Sequence, residues 1–260
     1  MMVDPQGAAP VAPLCRVRLD IAYFGPSFHG FAENADVVTV AETLRTAMET
    51  VLRHPVVLTG AGRTDAGVHA WGQVVSSDIT AEADLLRLQR SVNRQCSPAL
   101  VVRSISWAEP DFDARFSATW RRYRYTVLNT DVPNPFRAPT VWHVPQQLNV
   151  DAMQLACDAF LGEHDFSAFC KRPTVEPPVS LVRRILKAEW TGESGGELVF
   201  EICATAFCHN MVRSIVGTMV EVGLGKKSAG DMLAIIRSKD RAFAGKVAPP
   251  QGLCLWEVGY

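Results

Sequence analysis

The sequence predicts an α+β fold of two pseudo-symmetric halves, each carrying an antiparallel or mixed sheet. Three observations predict it. Residues 15–112 read as strand, helix, strand, strand, helix, strand. Residues 113–260 repeat that coarse order with longer loops, with no sequence repeat at a fixed period. A chain of 260 residues with 48% hydrophobic content has enough apolar material for a sizeable core, in one large domain or two of ordinary size.

Residues 1–14 read as a disordered leader. They are rich in Ala and Pro, without a basic start or a long apolar run, so they do not form a signal peptide. Residues 15–24 alternate Val17, Leu19 and Ile21 with Arg16, Arg18 and Asp20, the period of a half-buried strand. A loop with Gly25, Phe28, His29 and Gly30 follows. Residues 39–54 are a helix: Thr39 and Glu42 make a capping box, Val40, Leu44, Ala47, Met48 and Val51 share a stripe, and Pro55 stops it. Val56-Val57-Leu58 and Gln73-Val74-Val75 read as strands around residues 60–70. Residues 81–95, entered at Thr80, are a second helix, and residues 100–107 a strand.

The pattern breaks near residue 112, which divides the halves. Residues 120–127 alternate again, with Arg122 and Arg124 on one face and Arg121, Tyr123 and Tyr125 on the other. A Pro-rich connection, a helix over 150–161 and a polar loop over 164–180 follow. Residues 181–190 and 198–206 are strands. Residues 210–223 are an apolar helix, 228–237 a short one, and 253–258 a closing strand.

Composition narrows the function. The formal net charge is −1, so a polyanion has to be met by local basic patches. Four exist: Arg121/Arg122/Arg124 with two tyrosines among them, Lys171/Arg172, Arg183/Arg184 and Lys226/Lys227. Cations beside aromatic rings suit looped or single-stranded nucleic acid. Charged pairs are also ordinary solvated surface, so no single cluster decides. Seven cysteines include no Cys-x-x-Cys pair and no zinc-site spacing, which fits free thiols in a reducing cytoplasm and no metal. No apolar run is long enough to span a bilayer.

The stretch Gly60-Ala61-Gly62-Arg63-Thr64-Asp65-Ala66-Gly67-Val68-His69-Ala70 concentrates the chemistry. It lacks the Gly-Lys-Ser/Thr ending of a phosphate-binding P-loop, and Asp65 stands where a dinucleotide fingerprint needs Gly or Ala. A carboxylate there would repel a pyrophosphate. Two readings remain: a structural turn with a surface Asp–Arg pair, or a loop presenting Asp65 as a reagent. Arg213 bears on the choice. It sits near the start of an apolar helix, where the macrodipole disfavours a cation, so a carboxylate partner such as Asp65 would account for it. His69, His164 and His209 read as isolated, satisfied histidines.

The eleven residues 60–70 resemble the catalytic motif of the tRNA pseudouridine synthase A family. Phe28-His29-Gly30 is similar to its N-terminal loop. Phe116-Ser117-Ala118-Thr119 with residues 121–125, then residues 160–166, Met211-Val212-Arg213 with Ile215-Val216-Gly217, and Gly252-Leu253 are similar to further motifs, in order over about residues 15–260. The resemblance implies the pseudouridine synthase fold, two ferredoxin-like halves flanking a basic central cleft. It also implies a cytoplasmic homodimer needing no cofactor or metal, and conversion of uridine to pseudouridine at positions 38, 39 and 40 of the tRNA anticodon stem-loop. By the same resemblance Asp65 is the essential aspartate and Tyr123 the ring that stacks on the flipped uracil. Arg213 pairs with the aspartate, Arg63 displaces the target base, and Leu253 packs near the pocket. Arg121, Arg122, Lys171 and Arg172 are expected to contact the tRNA backbone. Phe31-Ala32, Val38-Thr39-Val40-Ala41 and Ser214 depart from the family pattern at the loop edge and helix entries. Alternatives are a synthase acting on another RNA, a catalytically idle RNA-binding protein, and an unrelated phosphate-binding hydrolase, which the Asp65 loop argues against.

Overall fold

The structure is a computed structural model that describes residues 13–171 and 179–260. The first half has the expected order: β1 (Leu14–Tyr23), α1 (Val40–Leu52), β2 (Thr59–Gly60), β3 (His69–Thr80), α2 (Leu85–Cys96) and β4 (Leu100–Trp107). The second contains β5 (Trp120–Leu128), β6 (Trp142–His143), α3 (Val150–Cys157), β7 (Gly162–Asp165), β8 (Val182–Thr191), β9 (Glu197–Ala204), α4 (Met211–Gly223), α5 (Asp231–Ser238) and β10 (Leu253–Gly259). The mixed α+β class stands. Leu14, expected in the leader, already pairs with Thr80 in the sheet.

The two halves share one continuous sheet, in the order β4-β1-β3-β10-β5-β9-β8-β7, with β2 on β3 and β6 on β5. The joint is β10. It runs parallel to β3, with Leu255 opposite Ala70, and antiparallel to β5, with Leu255 opposite Tyr123. The closing strand therefore fixes the start of β3, where the 60–70 loop ends, two strands from Tyr123.

One face of the sheet is covered. Along β5, Tyr123, Tyr125 and Val127 are buried while Arg122, Arg124 and Thr126 stay half-exposed. Helices α1 and α2 pack on each other, with α2 on β4, and α3 packs on α4 and β8. The buried side chains of both halves form one cluster, from Val17 and Leu19 through Tyr125 and Phe200 to Ile215 and Met219. On the open face Arg124 lies over the Trp256 ring at 4.0 Å, and Trp256 stacks with Trp71.

Local chemistry explains the boundaries. Thr39 caps α1 by accepting from the Glu42 N–H at 3.4 Å, as the capping box predicts. The second helix starts later than expected. Strand β3 continues to Thr80, and Asp84, not Thr80, caps α2 by accepting from the Arg87 N–H. Val56-Val57-Leu58 is not a strand: Val56 is buried but Val57 is exposed, and pairing begins only at Thr59.

Candidate active site

The 60–68 loop is held from several sides. Its Ala61 N–H donates to Val74 O at 2.8 Å, and the Val68 N–H closes a turn on Asp65 O at 3.1 Å. Gln73 Nε2 donates to Gly62 O at 2.7 Å, and the Tyr23 hydroxyl meets the Thr64 hydroxyl at 2.8 Å. The loop over residues 24–31 braces it: the Phe31 N–H donates to Thr64 O and the Gly67 N–H to Phe28 O. Gly67 has φ +78°, which favours glycine, and a Cβ on Gly25 would lie 2.4 Å from Gly67 O. The Phe31 ring fills the space against Gly60.

His69 anchors the end of the loop. Its Nδ1 accepts from the Gly25 N–H at 3.1 Å, so Nε2 carries the proton and donates to Pro139 O at 3.0 Å and Gln251 O at 3.1 Å. Burial lowers its pKa from the ordinary 6.5. The neutral ring is thus the stabilising form. Its contribution is complete above pH 6.5, the unfolded value, and is lost as pH falls through the lower folded value. Urea titrations from about pH 5 to 7.5 test this. The stability advantage of wild type over His69→Gln is expected to shrink on acidification. A difference that stays constant across that range contradicts the assignment.

Asp65 meets Arg213 as expected. Arg213 Nη1 donates to Asp65 Oδ2 at 3.0 Å, across 148 residues of chain. The Arg213 side chain is 16% exposed and that of Asp65 29%, so the pair is shielded but reachable. Arg213 is fixed in turn: Nη1 also donates to Asn210 Oδ1 at 3.3 Å and Nε to Ala248 O at 2.8 Å, while the Ala248 N–H donates back to Arg213 O. The segment carrying Ala248 passes against α4 at Gly217, where a Cβ would come within 1.7 Å of Lys246 O.

Tyr123 is buried. Its ring stands edge-on to Phe207, with centroids 5.0 Å apart. Burial, reinforced by the Asp65 charge, pushes its pKa well above the ordinary 10, so the phenol stays neutral. Leu253 is buried at the start of β10, two residues before Leu255, which is paired with Tyr123. Arg63 is exposed on the loop.

The structure adds two groups: His209, which the sequence reading set aside, and Phe207, which it did not single out. His209 Nε2 lies 3.3 Å from Asp65 Oδ1, on the oxygen that Arg213 leaves free, and its side chain is 52% exposed. Phe207 supports the Tyr123 ring. The signal was present: both stand just before α4, with His209 one helical turn ahead of Arg213.

The expected backbone contacts fare differently. Arg122 lies on the open sheet face, away from Tyr123, and pairs with Glu257 at 2.9 Å and Glu201 at 3.5 Å. Arg121 points inward and spends its guanidinium on backbone carbonyls. Neither placement fits a phosphate contact beside Asp65. Lys171 does lie near the site: it is exposed, and its N–H donates to His209 O at 3.1 Å. Arg172 falls outside the described residues.

A family profile described as tRNA pseudouridine synthase matches residues 156–260. The tRNA pseudouridine synthase A of Leifsonia xyli is 42% identical to this chain, over 94% of this chain and 91% of that protein. The chain belongs to the tRNA pseudouridine synthase A family. The Brevibacillus brevis member is 39% identical, over 94% of this chain and 99% of its own length. The Corynebacterium glutamicum member is 40% identical, over 94% and 89%. Among solved structures, an archaeal box H/ACA sRNP Nop10–Cbf5 complex is similar at 12% identity and a TM-score of 0.36. That match covers 78% of this chain and 44% of the other, a likeness too distant to bear on the site. The buried Ser214 hydroxyl on α4 has no hydrogen-bond partner among the described residues.

Proposed function

We propose that this isomerase of the tRNA pseudouridine synthase A family converts uridine to pseudouridine at positions 38, 39 and 40 of the tRNA anticodon stem-loop. The observation that carries the reading is the Asp65–Arg213 pair in the loop beside neutral Tyr123. A uridine inside a stem-loop has to leave its stack to be reached. Tyr123 then supplies a ring for the flipped uracil, and Arg63, exposed on the same loop, takes the place of the displaced base. Leu253 packs against the pocket from β10. Asp65 acts on the nucleoside as nucleophile or base. The N1–C1′ bond breaks, the uracil turns while bound, and C5 bonds to C1′. The C5 proton is released and N1 gains one, so the reaction is redox-neutral and calls on no cofactor or metal.

The protein acts in the cytoplasm as a homodimer in this reading, with Lys171 and Arg172 on the RNA backbone. Among the described residues no helix is long and apolar enough to cross a membrane. Pseudouridine mapping of tRNA from cells with and without the protein tests reaction and site together. Pseudouridine at positions 38–40 is expected to disappear without it. Loss at other positions or in another RNA would replace the substrate, and an unchanged map would leave an idle RNA-binding protein. Light scattering of the purified chain reports the oligomeric state.

A further inference from the structure

We propose that Arg121 is a positioning residue for this reaction: it ties the loop bearing Asp65 to the segment bearing Phe207 and His209. The proposal rests on the isomerase reading above.

A guanidinium has five N–H donors in one plane. In Arg121 all five go to backbone carbonyls. Nε donates to Ala61 O at 3.3 Å. Nη2 donates to Ala61 O at 3.0 Å and to Arg115 O at 2.7 Å. Nη1 donates to Ala118 O at 3.1 Å and to Thr205 O at 2.9 Å. The charge has no carboxylate partner among the described residues, and the residue is half-buried. A cation removed from water and held only by carbonyls is costly unless every donor is satisfied, and here every donor is.

The three segments it joins are those that carry the site. Ala61 lies four residues before Asp65. Thr205 lies two residues before Phe207, four before His209 and eight before Arg213. Arg115 and Ala118 belong to the stretch that leads into β5, and Tyr123 stands two residues beyond Arg121 on that strand. Among the described residues no backbone hydrogen bond runs between residues 60–68 and residues 204–210. The polar links between them are the Asp65–His209 contact and this guanidinium. Without Arg121, carbonyls from three segments would face one another around a void. The distance from Asp65 to His209 would then rest on each segment's own supports, with no tie between the two backbones. Lysine offers three donors from a single point and cannot span the same carbonyls.

The test compares wild type, Arg121→Lys and Arg121→Gln on an anticodon stem-loop tRNA transcript. Three quantities are read: the single-turnover rate at saturating enzyme, the salt dependence of RNA binding, and amide hydrogen exchange. For Arg121→Gln the saturated rate is expected to fall on the order of 100-fold. The binding constant and salt slope should stay at wild-type values, and Arg121→Lys should recover part of the rate. Exchange should rise in residues 60–68 and 204–210 together and not in β1 or the interior of β3. Lys171→Ala serves as the contrast, lowering the salt slope by about one. A rate retained at saturation with a reduced salt slope would make Arg121 a phosphate contact and overturn the proposal. Should Arg121→Gln not fold, Arg121→Lys decides: wild-type rate and wild-type exchange in both segments overturn it. If wild type itself shows no turnover, the isomerase reading fails, and the exchange pattern still reports whether Arg121 ties the two segments.

Discussion

Asp65→Asn is expected to abolish pseudouridine formation while the protein still folds and binds tRNA. The substitution keeps the shape of the side chain and removes its charge. Arg213 Nη1 still finds an oxygen where Oδ2 stood, so the 3.0 Å contact has a neutral substitute and the loop keeps its supports from Val74, Gln73 and Phe31. What is lost is the only carboxylate within residues 60–70, and with it the proposed nucleophile or base of the reaction. Removing such a group costs on the order of 10⁴-fold or more in turnover. Binding depends on phosphate contacts elsewhere, so it should persist. Tritium release from tRNA labelled at uridine C5 measures the first effect, and a gel-shift titration the second. Release at the wild-type rate by Asp65→Ala would remove Asp65 from the chemistry.

The sequence made the local elements legible where pattern and punctuation agreed. The Thr39–Glu42 cap, the alternation of β5 and the glycines around Asp65 all correspond to what folds. It failed where burial and polarity part company. Ser76 and Ser77 are buried in β3 along with Gln73, yet the strand expected from Gln73-Val74-Val75 ends before the two serines. Gln73 holds Gly62 O and the Ser76 hydroxyl accepts from the Ala114 N–H, so tertiary contacts, not strand propensity, explain those two residues, while the Ser77 hydroxyl has no partner among the described residues. The place of β10 between β3 and β5 was not readable either, because a strand order that joins the last residues to the first half leaves no local trace.

The site shows the same division. Asp65, Tyr123 and Arg213 carry residue types whose placement is odd without a partner: a carboxylate among glycines, a tyrosine between arginines, a cation at a helix start. Arg121 and Arg122 illustrate the converse. As sequence they are one basic cluster. In the fold the two-residue period of the strand sends them to opposite faces, one to four backbone carbonyls and the other to two glutamates. Charge in a sequence shows that partners are needed, and only the fold shows whether those partners are phosphates.

Arg213→Gln is the second substitution expected to have a large effect, and for a reason distinct from Asp65→Asn. Arg213 does not have to touch the nucleoside. It holds one carboxylate oxygen from a fixed position, with Nε pinned to Ala248 O at 2.8 Å and the α4 backbone pinned by the Ala248 N–H. A preorganised cation of this kind orients the carboxylate before reaction without having to be ordered during it. Removing it leaves Asp65 with His209, whose side chain is half exposed and less constrained. Turnover is expected to fall about 100- to 1,000-fold, or about 3–4 kcal/mol of transition-state stabilisation, with the tRNA binding constant little changed. Arg213→Lys should fall between the two, since an ammonium can reach Asp65 but cannot keep the bonds to Asn210 and Ala248 in the same plane. The decisive quantity is the saturated single-turnover rate, because a loss confined to KM would make Arg213 an RNA contact. If Arg213→Gln turned over at the wild-type rate, the 3.0 Å pair would be an ordinary ion pair and His209 the partner that matters. His209→Gln, which leaves Arg213 on Asp65 Oδ2, separates those outcomes: it should cost less than Arg213→Gln if the guanidinium is the principal holder of the carboxylate, and more if it is not.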